Sequence, residues 1–412
     1  MSQGPEQGGP EQRGPLAGLK VLELSSFVSA SFAGTLLGDF GAEVIKVELP
    51  GKGDMQRGLG TFTPEDDERS LWWMALARNK RSVGLDLRAE QTRPIVEKLY
   101  RWADVVTENF RPGTLERWGI GWEFLHRLNP DAIMLRVSGY GQTGPYHERA
   151  SFERVAQAFS GLMYVTGEPD RPPQRAGLPI ADYTSGVWGA LAVLLAYVHR
   201  LRDGAPGQYI DNAIYESILP IMKDDPAVYA WSGKVAERVG NKSANVAPGE
   251  AYRTRDGHWL FIAPTGDDVF RRAMGVIERP EYAADPRFGS TNDRFANREP
   301  LDAAMEEWVA AHDRADVMAA MEEAGVPCSR VQSVADLQAD PHVQARGDFV
   351  TIKDDAIGDV TIPAVFPRLS ETPGSIRRNA PRVGQHTTEV LVGELGISAE
   401  ELESLRQMGV AQ

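Results

Sequence analysis

The stretch Leu19–Glu48, LKVLELSSFVSASFAGTLLGDFGAEVIKVE, reads as strand, helix and strand. Leu19–Leu24 and Glu43–Glu48 are short apolar runs, and Ala30–Phe40 between them has a helical pattern. The alternation continues downstream. Ser82–Leu87 reads as a strand and Ala89–Trp102 as a helix; Asp104–Thr107 as a strand and Thr114–Leu128 as a helix; Ala132–Val137 as a strand again. Strands alternating with helices of this length predict a mainly parallel, doubly wound α/β sheet.

After residue 220 the pattern changes. Pro220–Val246 has no clear period and reads as a crossover. Tyr252–Ala263 reads as a hairpin turning at Asp256-Gly257. Helices are expected at Asp267–Ile277, Arg298–His312 and Ala315–Ala324, closing a smaller α+β region near Gly325-Val326-Pro327. The last segment offers strands at Phe349–Ile352 and Asp359–Ile362, then helices at Gly384–Gly396 and Ser398–Met408. The expected organisation is a disordered tail over 1–16, a large domain over 17–222 and 330–412, and a small domain with linkers over 223–329.

The chain has 412 residues, enough for two or three domains. Acids outnumber bases 58 to 44, which argues against bulk nucleic-acid binding, since that needs clustered Lys and Arg. An anionic ligand is left to local basic patches and backbone N–H groups. The single cysteine, Cys328, excludes an internal disulfide framework and a multi-cysteine metal site. A reducing cytoplasm is the expected location. Met1–Pro15 lacks an apolar h-region and reads as a tail, not a signal peptide.

The candidate site centres on Gly177-Leu178-Pro179-Ile180-Ala181-Asp182-Tyr183-Thr184-Ser185-Gly186. Proline and glycine keep residues 172–179 out of helix. Val187–Val198 is apolar nearly all round, which suits a helix buried on every side, and twelve residues are too few to cross a bilayer. His199, Arg200 and Arg202 close it, and Gly204 stops it. Asp182 is thus expected at the mouth of a buried helix. An Asp there is an ordinary N-cap on this window alone.

Other motifs are weaker. Gly139-Tyr140-Gly141-Gln142-Thr143-Gly144 matches G-x-G-x-x-G after a strand, but Pro145-Tyr146 follows where a dinucleotide fingerprint needs a helix. Gly139 and Tyr140 are kept as candidate ligand-facing positions. The seven histidines show no i,i+4 pair, so no metal site is expected. Asn79-Lys80-Arg81-Ser82 and Glu108-Asn109-Phe110-Arg111-Pro112-Gly113 fall at loop positions of the expected sheet. A cation, an amide and an aromatic ring there suit an adenine nucleotide; either loop alone is equally an ordinary solvated one. Glu153, in Ser151-Phe152-Glu153-Arg154, is either a first-turn helix acid or a second carboxylate near Asp182.

In order along the chain, these stretches resemble the family III CoA-transferases, the group of formyl-CoA and carnitine CoA-transferases. The matching residues include Gly18–Leu24, Leu37–Glu48, Gly53-Asp54-Met55, Asn79–Ser82, Glu108–Gly113 and Gly139–Pro145. Ser160-Gly161-Leu162, Thr166-Gly167-Glu168, Asp182–Gly186, Gly325-Val326-Pro327 and Gly384–Leu391 continue the series. The resemblance implies a Rossmann-like domain built from both chain ends, a smaller domain between, and two subunits interlocked as rings. Either a homodimer or a hetero-oligomer with a paralogue fits it.

The resemblance also implies chemistry. Asp182 falls on the catalytic aspartate, which attacks an acyl-CoA to give an aspartyl anhydride and then an aspartyl-CoA thioester. Coenzyme A is then a substrate and no cofactor is needed. With an ordinary pKa near 3.9, Asp182 is expected to be ionised at neutrality. Glu153 falls on an acidic helper position. Asn109, Phe110, Arg111 and Arg117 fall near the CoA nucleotide, with Asn79 and Arg81 as further candidates. Val28, Ser29 and Ala30 fall at the acyl end, where relatives often carry Gln in place of Ser29. Gly240–Gly249 stands where some members have a glycine-only flap. General similarity points to succinyl-CoA as donor and a malate-like acceptor, whose second carboxylate would meet Arg136, Arg149, Arg154 or Arg175. Two other readings stand beside this one. A 2-methylacyl-CoA racemase needs two acid/base groups where this chain has Phe152-Glu153, and Phe cannot carry a proton. A non-catalytic CoA-binding subunit has no need of Asp182.

Overall fold

The computed structural model describes residues 14–66, 68–243 and 245–412. The tail expected over the first thirteen residues lies outside them. Gly14–Leu16 does not: the Leu16 N–H donates to Phe40 O at 2.9 Å, and its side chain packs on the core.

Two compact units are present. The first runs to Leu162 and takes in Ala176–Pro226 and Ala345–Gln412. It holds six parallel strands: β1 (Lys20–Glu23), β2 (Glu43–Glu48), β3 (Lys80–Gly84), β4 (Val105–Glu108), β5 (Ile133–Ser138) and β6 (Tyr209–Ala213). Their order across the sheet is β3-β2-β1-β4-β5-β6. The sheet reverses its winding between β1 and β4, and open α/β sheets bind ligands beyond the strand C-termini at such a reversal.

Alternation along the strands splits the apolar residues between two cores. Leu22, Ile45, Val106 and Met134 face one side, covered by Ile95, Leu99 and Tyr100 and by Leu391 and Leu402 from the chain's end. Val21, Val44, Val105 and Leu135 face the other, covered by Ala30, Ala33 and Leu37 of the Ser29–Asp39 helix and by Val193 of the Ile180–Asp203 helix. A sheet covered on both faces accounts for the near-continuous apolar runs.

The second unit, Met163–Arg175 with Ala227–Gln344, is built on an antiparallel sheet of β7 (Glu250–Arg253), β8 (Trp259–Ile262) and β9 (Cys328–Arg330). Helices Asp267–Val276, Arg298–Ala311 and Arg314–Glu323 contribute Phe270, Met305 and Val317 to its core. The units change over after Pro226 and before Ala345, against 222/223 and 329/330 in the sequence reading. Gly325-Val326-Pro327 is the turn into β9, which still pairs with β8, so it marks no change of unit. β10 (Phe349–Asp354) and β11 (Gly358–Pro363) form a hairpin in the first unit.

Three elements differ from expectation for local reasons. The expected Thr114–Leu128 helix is two, Thr114–Arg117 and Trp122–Leu128, because Gly119 between them takes φ 69°. β6 was not anticipated, since YIDNA is too polar to announce a strand. The helix expected at Val187–Val198 runs from Ile180 to Asp203, 24 residues or about 36 Å. Length and composition would therefore allow it to cross a membrane. Nor is it buried all round. Ala181, Ser185, Gly189 and Val193 are buried in the unit, while Val187, Leu191, Leu195 and Val198 are exposed. Hydropathy marks what can be buried, and not what covers it.

Gly186 sets the approach of this helix to the Ser29–Asp39 helix. A Cβ there would stand 2.7 Å from Ser29 O and 3.0 Å from Phe32 Cβ. Gly275, also helical, has nothing within 4 Å of the same point. Gly→Ala in a helix gains about 1 kcal/mol, and overpacking costs about 1–3 kcal/mol. Calorimetry should therefore show Gly186→Ala melting below the wild type and Gly275→Ala at or above it.

Candidate active site

Asp182 is the third residue of the Ile180–Asp203 helix, in its first turn, with Pro179 at the N-cap. It is therefore not the cap itself. This helix precedes β6 and packs on β5 and β6, so its N-terminus lies at the C-terminal ends of the strands. Burial, with the Glu153 carboxylate adding repulsion, pushes the Asp182 carboxyl up to about 7. That differs from the ordinary carboxylate expected from the sequence: burial and the Glu153 charge bring its titration up into the neutral range.

Glu153 opens the Glu153–Phe159 helix. Its Oε1 accepts from Gln157 Nε2 and faces the Ala181 N–H at 3.4 Å, one residue before Asp182. The structure thus brings Glu153 and Asp182 together.

Val28, Ser29 and Ala30 are buried at the start of the Ser29–Asp39 helix, which no side chain caps. Ser29 O is the atom nearest Gly186, one helical turn from Asp182. The turn before this helix is held in an unusual shape. Phe27 has φ 60°, costly for a residue with a Cβ. Its N–H donates to Asp54 Oδ1 at 2.9 Å, and Ser26 Oγ donates to the same oxygen at 2.8 Å. Asn109 completes the clamp: its Oδ1 accepts from Ser26 N–H at 2.8 Å and its Nδ2 donates to Ser26 O at 2.6 Å. The Phe27 ring meets Phe152 edge-on at 5.7 Å, linking this turn to the Glu153 helix.

Asn109, Phe110, Arg111 and Arg117 follow β4. The Phe110 N–H donates to Glu108 Oε2 at 2.8 Å, and its ring packs on Trp118 at 5.1 Å. Arg117 donates to Thr114 Oγ1 at the rim of a recess of about 610 Å³ that Trp122, Arg127 and Arg136 also line. A larger recess, about 1180 Å³, lies along β10 and residues 373–386 and contains none of the predicted site residues. Gly139 lies under Ser151. The Tyr140 ring joins Tyr146, Phe159 and Tyr215 in an aromatic cluster.

Asn79 and Arg81 are placed elsewhere. Asn79 immediately precedes β3 and Arg81 is its second residue, opposite Ile45 of β2, so both lie toward the N-terminal ends of the strands, away from Asp182. Asn79 donates to Asp39 Oδ1 and Ser375 O and accepts from the Arg377 N–H. Arg81 pairs with Glu389 and Glu394. Both pin the C-terminal segment to the sheet, and the structure does not bring them together with Asp182 and Glu153. Of the arginines considered for a second carboxylate, Arg136 pairs with Glu108 at 2.8 Å and Glu116 at 2.9 Å, and Arg149 lies over Tyr146 at 3.6 Å. Arg154 is exposed beside Glu153. Arg175 belongs to the second unit, as does Gly240–Gly249. That loop is tied by Gly240 N–H to Gly167 O and by Arg298 to Ser243 O; Ala244 lies outside the described residues.

Sequence reasoning gave no role to Asp54, Gln157, Glu23, Lys46 or Lys80. Their signals were present. Gln157 stands four residues after Glu153 on a helix, where side chains meet. Glu23, Lys46 and Lys80 are charged residues inside buried strands, which require partners.

The profile of CoA-transferase family III matches residues 16–387. Succinyl-CoA--D-citramalate CoA-transferase of Chloroflexus aurantiacus is 42% identical over 392 residues, 95% of this chain and 97% of that one. Succinyl-CoA--L-malate CoA-transferase alpha subunit of the same organism is 42% identical over 393 residues, 95% of this chain and 91% of its own. A crystal structure of a CAIB/BAIF family protein from Brucella suis superposes with a TM-score of 0.81 at 35% identity, covering 93% of this chain and 100% of that one. With an acidic pair at the C-terminal ends of its parallel strands and this match along nearly its whole length, the chain belongs to CoA-transferase family III.

Proposed function

We propose that the protein moves CoA from succinyl-CoA to a dicarboxylic acid of the malate or citramalate kind, with Asp182 as the covalent carrier. The observation that carries this reading is a carboxylate whose proton affinity is raised by burial and by Glu153, at the strand ends where such sheets bind ligands. The names of the relatives support the substrate class.

The steps balance without a redox group or net proton transfer. An Asp182 oxygen attacks the thioester carbonyl, the C–S bond breaks, and CoA leaves as thiolate. The thiolate attacks the aspartyl carbonyl of the mixed anhydride, and the C–O bond breaks to release succinate. The resulting aspartyl-CoA thioester is attacked by the acceptor carboxylate, regenerating thiolate and a new anhydride. Thiolate then takes the acceptor acyl group and returns Asp182 as carboxylate. Covalent capture divides one exchange into easier steps. Backbone N–H groups at the uncapped start of the Ser29–Asp39 helix would stabilise the oxyanions. Asn109, Phe110, Arg111 and Arg117 would hold the nucleotide end beside the 610 Å³ recess. Arg154 is the cation offered to the acceptor's second carboxylate. We take the molecule to be an interlocked homodimer, or a hetero-oligomer with a paralogue. The exposed apolar row Val187, Leu191, Leu195 and Val198 supports a covered face.

The deciding experiment is an exchange assay with succinyl-CoA and a panel of mono- and dicarboxylic acids. Dicarboxylates should be converted to CoA thioesters, and Asp182→Asn should lose about a thousandfold or more. An enzyme that leaves every acid unconverted, or an Asp182→Asn variant as active as the wild type, would refute the reading.

Acidity gives a second prediction. Attack requires the anion, so kcat/KM for succinyl-CoA should rise about tenfold per unit up to pH about 7 and level off above it. Glu153→Gln removes the like charge and should lower the midpoint by about one unit.

The same group affects stability. Its folded pKa lies above the unfolded value, so its stabilising effect is full below about pH 4 and lost as pH rises through about 7. Asp182→Asn should therefore be more stable than wild type at pH 8, by roughly 1–3 kcal/mol for this half-buried group, and level with it near pH 4.

A further inference from the structure

We propose that Gln157 is a positioning residue for the exchange: one end of its buried amide holds the Glu153 carboxylate against the first turn of the Asp182 helix, and the other fixes the chain entering that helix. The inference rests on the CoA exchange set out above.

Gln157 has no exposed surface. Its Nε2 donates to Glu153 Oε1 and lies 3.4 Å from Leu178 O, while its Oε1 accepts from the Ala176 N–H at 2.9 Å. Glu153 Oε1 in turn faces the Ala181 N–H at 3.4 Å. All three neighbours of the amide therefore lead to Asp182: two through the backbone that enters its helix, one through the carboxylate beside it. The position demands an amide. It must donate to a carboxylate at one end and accept from an N–H at the other. An ionised Glu can only accept, and Met fills the volume while doing neither. The hydrogen bond from Nε2 holds the Glu153 carboxylate in place, and its charge is the one that acts on Asp182.

Other charged groups on the elements packed around the Asp182 helix are committed elsewhere. Asp39 binds Arg78, Arg136 binds Glu108, Asp211 accepts from the Gln142 N–H, and Glu216 accepts from Tyr215. Arg154 is the exception, exposed on the Glu153 helix next to Glu153.

The test compares pH profiles of succinyl-CoA exchange for wild type, Asp182→Asn, Gln157→Met, Gln157→Glu, and Gln157→Met in a Glu153→Gln background. A wild type that does not exchange, or an active Asp182→Asn, removes the reading of the site and this inference with it. With wild type active and Asp182→Asn silent, Gln157→Met should lower kcat about tenfold or more while KM for succinyl-CoA stays within about twofold. Its kcat/KM midpoint should fall by about half a unit or more, because the loosened Glu153 no longer opposes ionisation of Asp182. Gln157→Glu should move the midpoint the opposite way. With Glu153 already replaced, Gln157→Met should produce no further shift. If Gln157→Met does not fold, Glu153→Asp draws the carboxylate out of reach of an intact Gln157 and must give the same downward shift. An unmoved midpoint in folded Gln157→Met, or failing that in Glu153→Asp, overturns the proposal. So does an equal shift in the Glu153→Gln background.

Discussion

A chain of four buried charges, Lys80–Glu23–Lys46–Asp54, ties the start of β3 to the site ends of β1 and β2 in the first unit. Glu23 of β1 accepts from Lys46 of β2 and lies 2.8 Å from Lys80 of β3, and Lys46 reaches Asp54 at 2.7 Å. Ser31 Oγ donates to Glu23 at 2.6 Å from the helix that follows β1. Two positive and two negative groups cancel, which is the condition for taking them out of water together. Burial alone would push both carboxyls up, yet the lysines hold Glu23 and Asp54 below the usual carboxylate range. Removing an inner member, Glu23 or Lys46, would leave Lys80 or Asp54 buried without its ion pair, at about 3–5 kcal/mol. That penalty makes the arrangement close to all-or-none.

From Asp54 the constraint passes to the reacting groups. Asp54 fixes Ser26 and the strained Phe27, and this turn aims the Ser29–Asp39 helix. Gly186 lets the Asp182 helix lie against Ser29. Glu153, held by Gln157, comes up on the neighbouring side. Each link is a hydrogen bond or a close packing contact between rigid elements. Two acids are thus pressed together where solvation is poor, and nothing in the fold's stability calls for that. A carboxyl whose proton affinity is raised at the strand ends marks a place where stability is given up for chemistry.

Much of the large unit was legible because its strands are buried on both faces. LKVLEL, EVIKVE and AIMLRV announce themselves by continuous apolar character, and the spacing between them leaves room only for crossover helices. β6 escaped because its YIDNA segment alternates polar residues at the sheet's edge. The early start of the Asp182 helix escaped because Pro179 looks like a breaker, whereas a proline before the first turn loses no helical hydrogen bond. Asp182 was visible from sequence, but its acidity was not, since that depends on Glu153 arriving from another element. The ordered family motifs located the Glu108–Gly113 loop correctly at the strand C-termini. Asn79 and Arg81, chosen from their loop position and residue types, lie at the other end of the strands and bond the C-terminal segment.

The account stands on Asp182 becoming covalently attached to the cargo and then to CoA. Mixing the enzyme with succinyl-CoA, quenching with hydroxylamine and mapping the peptides by mass spectrometry tests this most directly. The expected result is a hydroxamate at Asp182 that appears only with the thioester present and is absent from Asp182→Asn. Full turnover with Asp182 unmodified, or with the label on another side chain, would contradict it.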